Sequence, residues 1–221
     1  MFNSPRIFLL FTLALVVILA IKLMPKKSTS AGTIIILNGP SSVGKSSIIK
    51  AFQAQSNQLW LGMGLDNLFV GVIPQKYMSE NTPETHQLMQ GIQSVDEQGN
   101  KIFTLQLGPD GEKVRNGMHR AIAAYTRAGN NVIVDYINYD ASWLEDLKKS
   151  LAGLQVIYVG VKAPLEVIEQ REKQRGTSPE GHARSHYFTV HEGFTYDLVI
   201  EGDKVAPDEG AEKIVEFLEQ T

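Results

Sequence analysis

The sequence predicts an α/β fold, a parallel sheet with helices on both faces, and three observations carry the prediction. Short β-branched and aliphatic runs alternate with helix-compatible segments along residues 33–221, the pattern of strands joined by crossover helices. The first run, TIIIL at 33–37, passes through Asn38 into Gly39-Pro40-Ser41-Ser42-Val43-Gly44-Lys45-Ser46, which fits G-x-x-x-x-G-K-[ST] with the strand before and the helix after that this pattern requires. Two later runs deliver carboxylates, Asp66 and Asp135, to strand ends, and open parallel sheets bind ligands outside the carboxyl ends of their strands.

The glycine-started loop explains its own spacing. Consecutive backbone N–H groups can turn inward on phosphate oxygens, and the helix beginning near Gly44 adds its positive dipole end, so a polyphosphate is the natural occupant of Gly39 to Ser47. Lys45 then reaches the outer phosphates, and the Ser46 hydroxyl is one ligand of a Mg²⁺ that keeps most of its waters. Residues 132–135, VIVD, read as a buried strand ending in a carboxylate, and Asp135 is the candidate to hold that Mg²⁺ from the opposite side.

Composition narrows the partners. The chain has 221 residues, enough for one well-buried α/β domain and a short appendage, and it contains no cysteine, which excludes disulfides, thiolate nucleophiles and cysteine metal sites. Net charge is −3, but four basic and no acidic residues fall within 1–27, so the rest carries −7, which argues against nucleic acid as a partner. Residues 7–21 are apolar except for Thr12, and with Lys22 snorkelling the span extends to Met24. At about 1.5 Å per residue that reaches roughly 27 Å, close to a hydrocarbon core of about 30 Å. A cleaved signal peptide is the competing reading, but the exit IKLMPKK offers no small-x-small site. The expectation is a membrane anchor at 1–27, a linker at 28–32 and a domain at 33–221 on the cytosolic side, where lysines after the span and the need for ATP both place it.

In chain order, 46–55 continues the first helix with Ile48, Ile49 and Phe52 on one face, and 59–63 is a second strand delivering Asp66. Asp66 reads either as a group facing an acceptor substrate or as the cap of a helix beginning at Asn67. Residues 74–111 are polar and turn-rich, with a possible hairpin pairing 92–95 with 102–107, and their length suggests a substrate-covering insertion. The sequence Asp96-Glu97-Gln98-Gly99 within it reads as a turn. A helix over 115–128 carries Met118, Ile122 and Tyr125 and stops at Gly129. Ser142 to Glu145 reads as a capping box for the next helix. A strand at 155–161 follows, then a helix from Pro164 to Arg175 ahead of Gly176, with Arg171 and Arg175 four residues apart and Arg184 in a polar loop beyond. Cations at a helix end leading into a glycine-containing loop suit a lid, 171–190, that closes over a transferring phosphate. His182, His186 and His191 lack a completing ligand set and do not read as a metal site. A fifth strand at 197–201 and an amphipathic helix at 209–220 close the chain.

Taken together, 33–46 (TIIILNGPSSVGKS), 60–68 (WLGMGLDNL), 132–135, 171–176 (REKQRG) and 191–197 (HEGFTYD) resemble the chloramphenicol phosphotransferase family. The resemblance covers nearly all of 33–221. It implies an adenylate-kinase-like P-loop kinase fold with a five-stranded parallel sheet, ATP and Mg²⁺ as cofactors, and transfer of the γ-phosphoryl group to an alcohol of a small molecule. By position, Asp66 matches the family's proposed catalytic base, Lys45 and Ser46 its phosphate and Mg²⁺ residues, and Arg171 and Arg175 its lid arginines. The chain departs from the pattern at Tyr136, where a second acid is common, in its longer insertion, and in its leading apolar segment. The alternative to an enzyme is a membrane-tethered, non-catalytic ATP-binding module acting on a protein partner.

Overall fold

A computed structural model of the chain describes residues 30–79 and 82–220. The expected anchor at 1–27 lies outside the described residues, as does the start of the linker, and no described helix is long and apolar enough to cross a membrane.

Strand β1 (Thr33–Asn38) leads through the glycine-rich loop into α1 (Lys45–Gln55). Next come β2 (Trp60–Gly64) and three short helices, α2 (Leu65–Leu68), α3 (Lys76–Ser79) and α4 (Pro83–His86). Strands β3 (Met89–Val95) and β4 (Lys101–Leu107) form a separate antiparallel hairpin. Helix α5 (Pro109–Arg127), β5 (Asn131–Tyr136), α6 (Ala141–Ser150), β6 (Gln155–Lys162), α7 (Leu165–Arg175), α8 (His182–Tyr187), β7 (Leu198–Glu201) and α9 (Pro207–Glu219) complete the described chain. The main sheet has the order β2-β5-β1-β6-β7 and is parallel throughout.

The β-branched run of β1 makes it the central strand. Ile34, Ile35, Ile36 and Leu37 are all fully buried, as expected of a parallel strand covered on both faces. Side chains alternate across a strand, and the two faces feed two cores. Ile35 and Leu37 pack in the cluster containing Phe52, Ile168 and Ile214, from α1, α7 and α9. Ile34 and Ile36 pack in the cluster containing Met118, Ile122, Trp143 and Leu147, from α5 and α6. This is the predicted three-layer arrangement with its five-stranded parallel sheet.

Several local expectations need correction. Helix α5 begins at Pro109 rather than 115, because proline suits a first helical turn and Asp110 and Glu112 complement the dipole there. Tyr125 is 48% exposed and does not share the buried face; the position after it, Thr126, is buried and donates to the Ile122 carbonyl instead. Helix α6 is capped by Asp140, whose carboxylate accepts from the Ser142 and Trp143 amides, so Ser142 is not the cap. A carboxylate is the stronger acceptor for helix amides, and the Ser142 hydroxyl donates to it as well. Arg184 lies in helix α8 rather than in a polar loop. The hairpin does form, three residues longer on its first strand, and Asp96 makes the expected turn by accepting from the Gln98 and Asn100 amides.

One buried polar group sits in the α5–α6 core. His119 is fully buried, with Nδ1 2.8 Å from Asp146 and Nε2 3.0 Å from the Tyr136 hydroxyl. Burial brings its pKa from 6.5 down to about 4 against the opposing pull of Asp146, so the ring is neutral, with Nδ1–H donating to Asp146 and Nε2 accepting from Tyr136.

Two predictions follow from these cores. Phe52, fully buried and edge-on to Trp60 at 5.2 Å, should cost about 3–5 kcal/mol when changed to Ala, measured by urea unfolding. Because the His119 pKa is depressed in the folded state, its contribution is complete above the unfolded value of 6.5 and is lost as pH falls toward 4. Wild type should therefore lose about 2 kcal/mol more than His119→Gln between pH 7.5 and 5.0 in the same unfolding experiment.

Candidate active site

The glycine-rich loop is built by close approach and by one unusual backbone turn. A Cβ on Gly39 would lie 2.3 Å from the Val161 carbonyl, so only glycine lets the loop leave β1 against β6. Gly44 has φ 112° with open space above its Cα, and Ser42 holds φ 65°, a left-handed value that a non-glycine residue seldom adopts. At the start of α1 the Ser47 and Ile48 amides donate to the Gly44 carbonyl, and the Lys45 and Ser46 amides before them have no carbonyl one turn earlier in the helix.

Lys45 is 5% exposed, and its ammonium donates to the Gly39 and Pro40 carbonyls at 2.9 Å each. It also lies 3.4 Å from Asp135. Burial lowers its pKa and Asp135 opposes the shift. The Ser46 hydroxyl donates to the other Asp135 oxygen at 2.5 Å. The predicted cation pair, Ser46 and Asp135, therefore comes together from elements 89 residues apart, and a hydroxyl beside a carboxylate is a donor set that fits Mg²⁺.

Asp66 reaches the same place by a different route. Asp135 is in register with Leu37 of β1 on one side and with Gly64 of β2 on the other. A Cβ on Gly64 would lie 2.5 Å from the Asp135 carbonyl, so glycine allows β2 to close on β5 and releases the chain beside the Asp135 carboxylate. Asp66 does not cap the helix it belongs to. Asn67 does that work by accepting from the Gly64 amide, which leaves the exposed Asp66 carboxylate facing the cavity.

That cavity has a volume of about 1860 Å³. This exceeds the roughly 300–1,000 Å³ of a single-ligand pocket, and it leaves room for two ligands end to end. Its wall includes Ser41 to Ser47, Arg171 and Arg175, Asp66 and Phe69, residues of the β3–β4 hairpin such as Gln90 and Phe103, and Asp135. Residues of the expected insertion at 74–111 thus line the cavity together with Asp66.

The arginines behave differently from each other. Arg171 donates to the Val43 and Gly202 carbonyls, tying the loop to the end of β7, while Arg175 donates to the Ser41 and Ser178 hydroxyls at the cavity wall. Arg184 bridges Glu169 at 2.6 Å and Asp96 at 3.1 Å, and the Phe103 amide donates to the Gly181 carbonyl, so the hairpin is fastened to the segment between α7 and α8.

Some groups were not legible beforehand. Glu172 is 3% exposed, and its carboxylate accepts from the Gly181 and Ala183 amides, which fixes the turn into α8. Nothing in the local sequence marks it, and only the fold back of 181–183 reveals the bond. His186 is buried, and its Nε2 accepts from the Ser41 amide, a direct link from α8 to the loop. Burial, with His182 and Lys45 adding to it, keeps its pKa well below the usual value, so the ring accepts as a neutral imidazole. Asn38, fully buried, joins Val190, Tyr196 and Asn138.

Comparisons with known proteins agree with this geometry. The model of the family described as chloramphenicol phosphotransferase-like protein matches residues 32–219. A Mycobacterium tuberculosis protein, provisionally named an O-phosphotransferase, is 31% identical over 171 residues, covering 77% of this chain and 75% of its own. Among solved structures, an unliganded sugar kinase from Janibacter sp. HTCC2649 superposes with a TM-score of 0.57 at 14% identity, covering 85% of this chain and 95% of that one. The Mycobacterium tuberculosis APS kinase CysC in complex with AMPPNP and APS gives 0.55 at 16% identity, covering 86% and 98%. At such identities the structures speak for a P-loop kinase fold alone.

The buried Glu172 generates a prediction. Glu172→Ala leaves two amides unpaired and should destabilise the protein by about 2–4 kcal/mol, with proteolytic cleavage near 176–187 appearing under native conditions.

Proposed function

The chain belongs to the chloramphenicol phosphotransferase-like family and is a phosphotransferase enzyme, and from that premise we propose that it transfers the γ-phosphoryl group of ATP to a hydroxyl of a small molecule. The observation that carries this reading is the shared cavity: the glycine-rich loop with Lys45 and Ser46, the Asp66 side chain and Asp135 all line it, and Asp135 meets both Lys45 and Ser46. Membership of an enzyme family favours this over a non-catalytic module.

In this reading Gly39 to Ser47 cradle the triphosphate, and Lys45 leaves its two carbonyl partners to meet the outer phosphates. Ser46 and Asp135 would hold Mg²⁺, which when bound offsets phosphate charge. Asp66 orients the acceptor hydroxyl and takes its proton as the oxygen bonds to the γ-phosphorus. The bond from that phosphorus to the β–γ bridging oxygen breaks, and its electron pair leaves with ADP. The transition state is loose, so most of the acceleration comes from placement and charge neutralisation, with Arg175 of the lid as the cation best placed to close on the phosphates. Arg171, held by two carbonyls, supports the loop more than it faces the phosphates. The 74–111 insertion covers the acceptor, and 171–190 acts as the lid. The apolar run at 7–24 supports attachment of the chain to a membrane, with the enzyme domain on the cytosolic face.

A screen of hydroxylated metabolites and antibiotics for acceptor-dependent ADP release tests the reading; absence of ATP binding with magnesium would sink it. Lys45→Ala should reduce turnover by about 100-fold or more. Asp66→Ala should lower kcat about 10²–10⁴-fold while ATP affinity, followed by calorimetry, stays within about twofold.

A further inference from the structure

Tyr139 sits where the four proposed active-site groups converge, yet no role has been assigned to it. It follows β5 by three residues and lines the cavity shared by Asp66, Asp135, Lys45 and Arg175. Three rings fix its own: His182 stacks on it at 6.0 Å and 27°, and Trp143 and His186 meet it edge-on at 5.1 and 5.2 Å. A ring held on three sides aims its hydroxyl with little freedom to turn away.

The question is where the hydroxyl proton goes. The Tyr139 oxygen lies 3.2 Å from His182 Nε2, while His182 Nδ1 is buried with no partner among the described residues. The imidazole is 8% exposed, and burial, followed by Arg175 and Lys45, brings its pKa down to about 4, so it carries a single proton at neutral pH. An unpaired buried N–H is rarer than an unpaired buried acceptor, which places that proton on Nε2 and leaves Nδ1 as the bare lone pair. His182 is then the donor and the Tyr139 oxygen the acceptor. Burial and the charges of Asp135 and Asp66 raise the phenol pKa, so the hydroxyl keeps its own proton and must donate it elsewhere. Tyr139 lines the cavity, and His182 is the one hydrogen-bond partner of its hydroxyl among the described residues, so the cavity is where an acceptor for that proton can enter.

We propose that Tyr139 is a further catalytic residue, its hydroxyl donating a hydrogen bond to an oxygen of the phosphoryl group in transit, with His182 as the positioning residue that aims it. The inference rests on the phosphotransfer reading and deepens it. A neutral donor suits this place, because Lys45 and the lid arginine already supply cations and the carboxylates of Asp66 and Asp135 must not be drawn to one more. Since His182 belongs to α8, inside the proposed lid at 171–190, the donor is aimed only while that segment is in place.

Tyr139→Phe in the full chain tests this, because it keeps the ring and removes only the hydroxyl. Expected are a kcat lower by about 10–100-fold, a KM for ATP within about twofold and an unchanged thermal midpoint. Affinity for ADP with magnesium and aluminium fluoride, a planar stand-in for the transferring group, should fall while ATP affinity holds. His182→Phe, which keeps the stack and removes the donor, should show a smaller loss of about fivefold in the same two readouts. Wild-type turnover together with wild-type aluminium fluoride affinity in Tyr139→Phe overturns the proposal. The fluoride measurement needs no acceptor, so it stands even if the screen finds no acceptor-dependent ADP release, a result that would count against the phosphotransfer reading alone.

Discussion

The placement of β5 between β1 and β2 is the constraint on which the rest depends. Parallel pairing brings Leu37, Asp135 and Gly64 to the same level of the sheet, so three chain segments leave its carboxyl edge side by side. The glycine-rich loop, the strand-end carboxylate and the turn bearing Asp66 are neighbours for that reason alone. Hydrogen-bonded register admits no intermediate positions, and a one-residue slip would turn the Asp135 side chain to the other face. Gly64 is what permits the approach of β2, since any side chain there meets the Asp135 backbone.

Around that edge the molecule buries charge and pairs nearly all of it. Lys45 loses its hydration but gains two carbonyls and Asp135; Glu172 gains two amides. Burial of an unpaired charge would cost far more than such pairs return, so these bonds hold the glycine-rich loop and the turn into α8 in defined positions rather than adding large net stability. The links from Arg171 to Val43, Arg175 to Ser41 and His186 to the Ser41 amide all run from the α7–α8 region to the glycine-rich loop. Arg184 and the Gly181 carbonyl extend the same connection to the β3–β4 hairpin. The glycine-rich loop and the hairpin are thereby tied to one segment.

Much of this was legible in the residues. The run of four buried aliphatics in β1, the strand–loop–helix around Gly39 to Ser46 and the carboxylate near the end of β5 are all found where they were read. The misreadings share a cause. Asp140 acts through backbone amides and Pro109 by lacking one, and the pattern of apolar residues says little about either. Tyr125 illustrates the complementary failure, since its spacing from Ile122 fits a helix face while the packing partners end at Thr126. Asp66 could be read equally as a cap or as a facing group until Asn67 was seen to take the amide.

What the sequence by itself determined is the strands of the main sheet, its longer helices and the glycine-rich loop between the first strand and the first helix, because these follow from short-range periodicity and from the steric demands of a few glycines. The tertiary structure alone decided which groups meet: Ser46 with Asp135, Arg175 with Ser41, Tyr139 with His182. Those pairs span 43 to 134 residues of chain, and no local preference encodes them. They arise when parallel pairing stacks the strand ends and burial of two apolar faces holds them there, leaving each polar group at that edge to find whichever partner the packing has brought within reach.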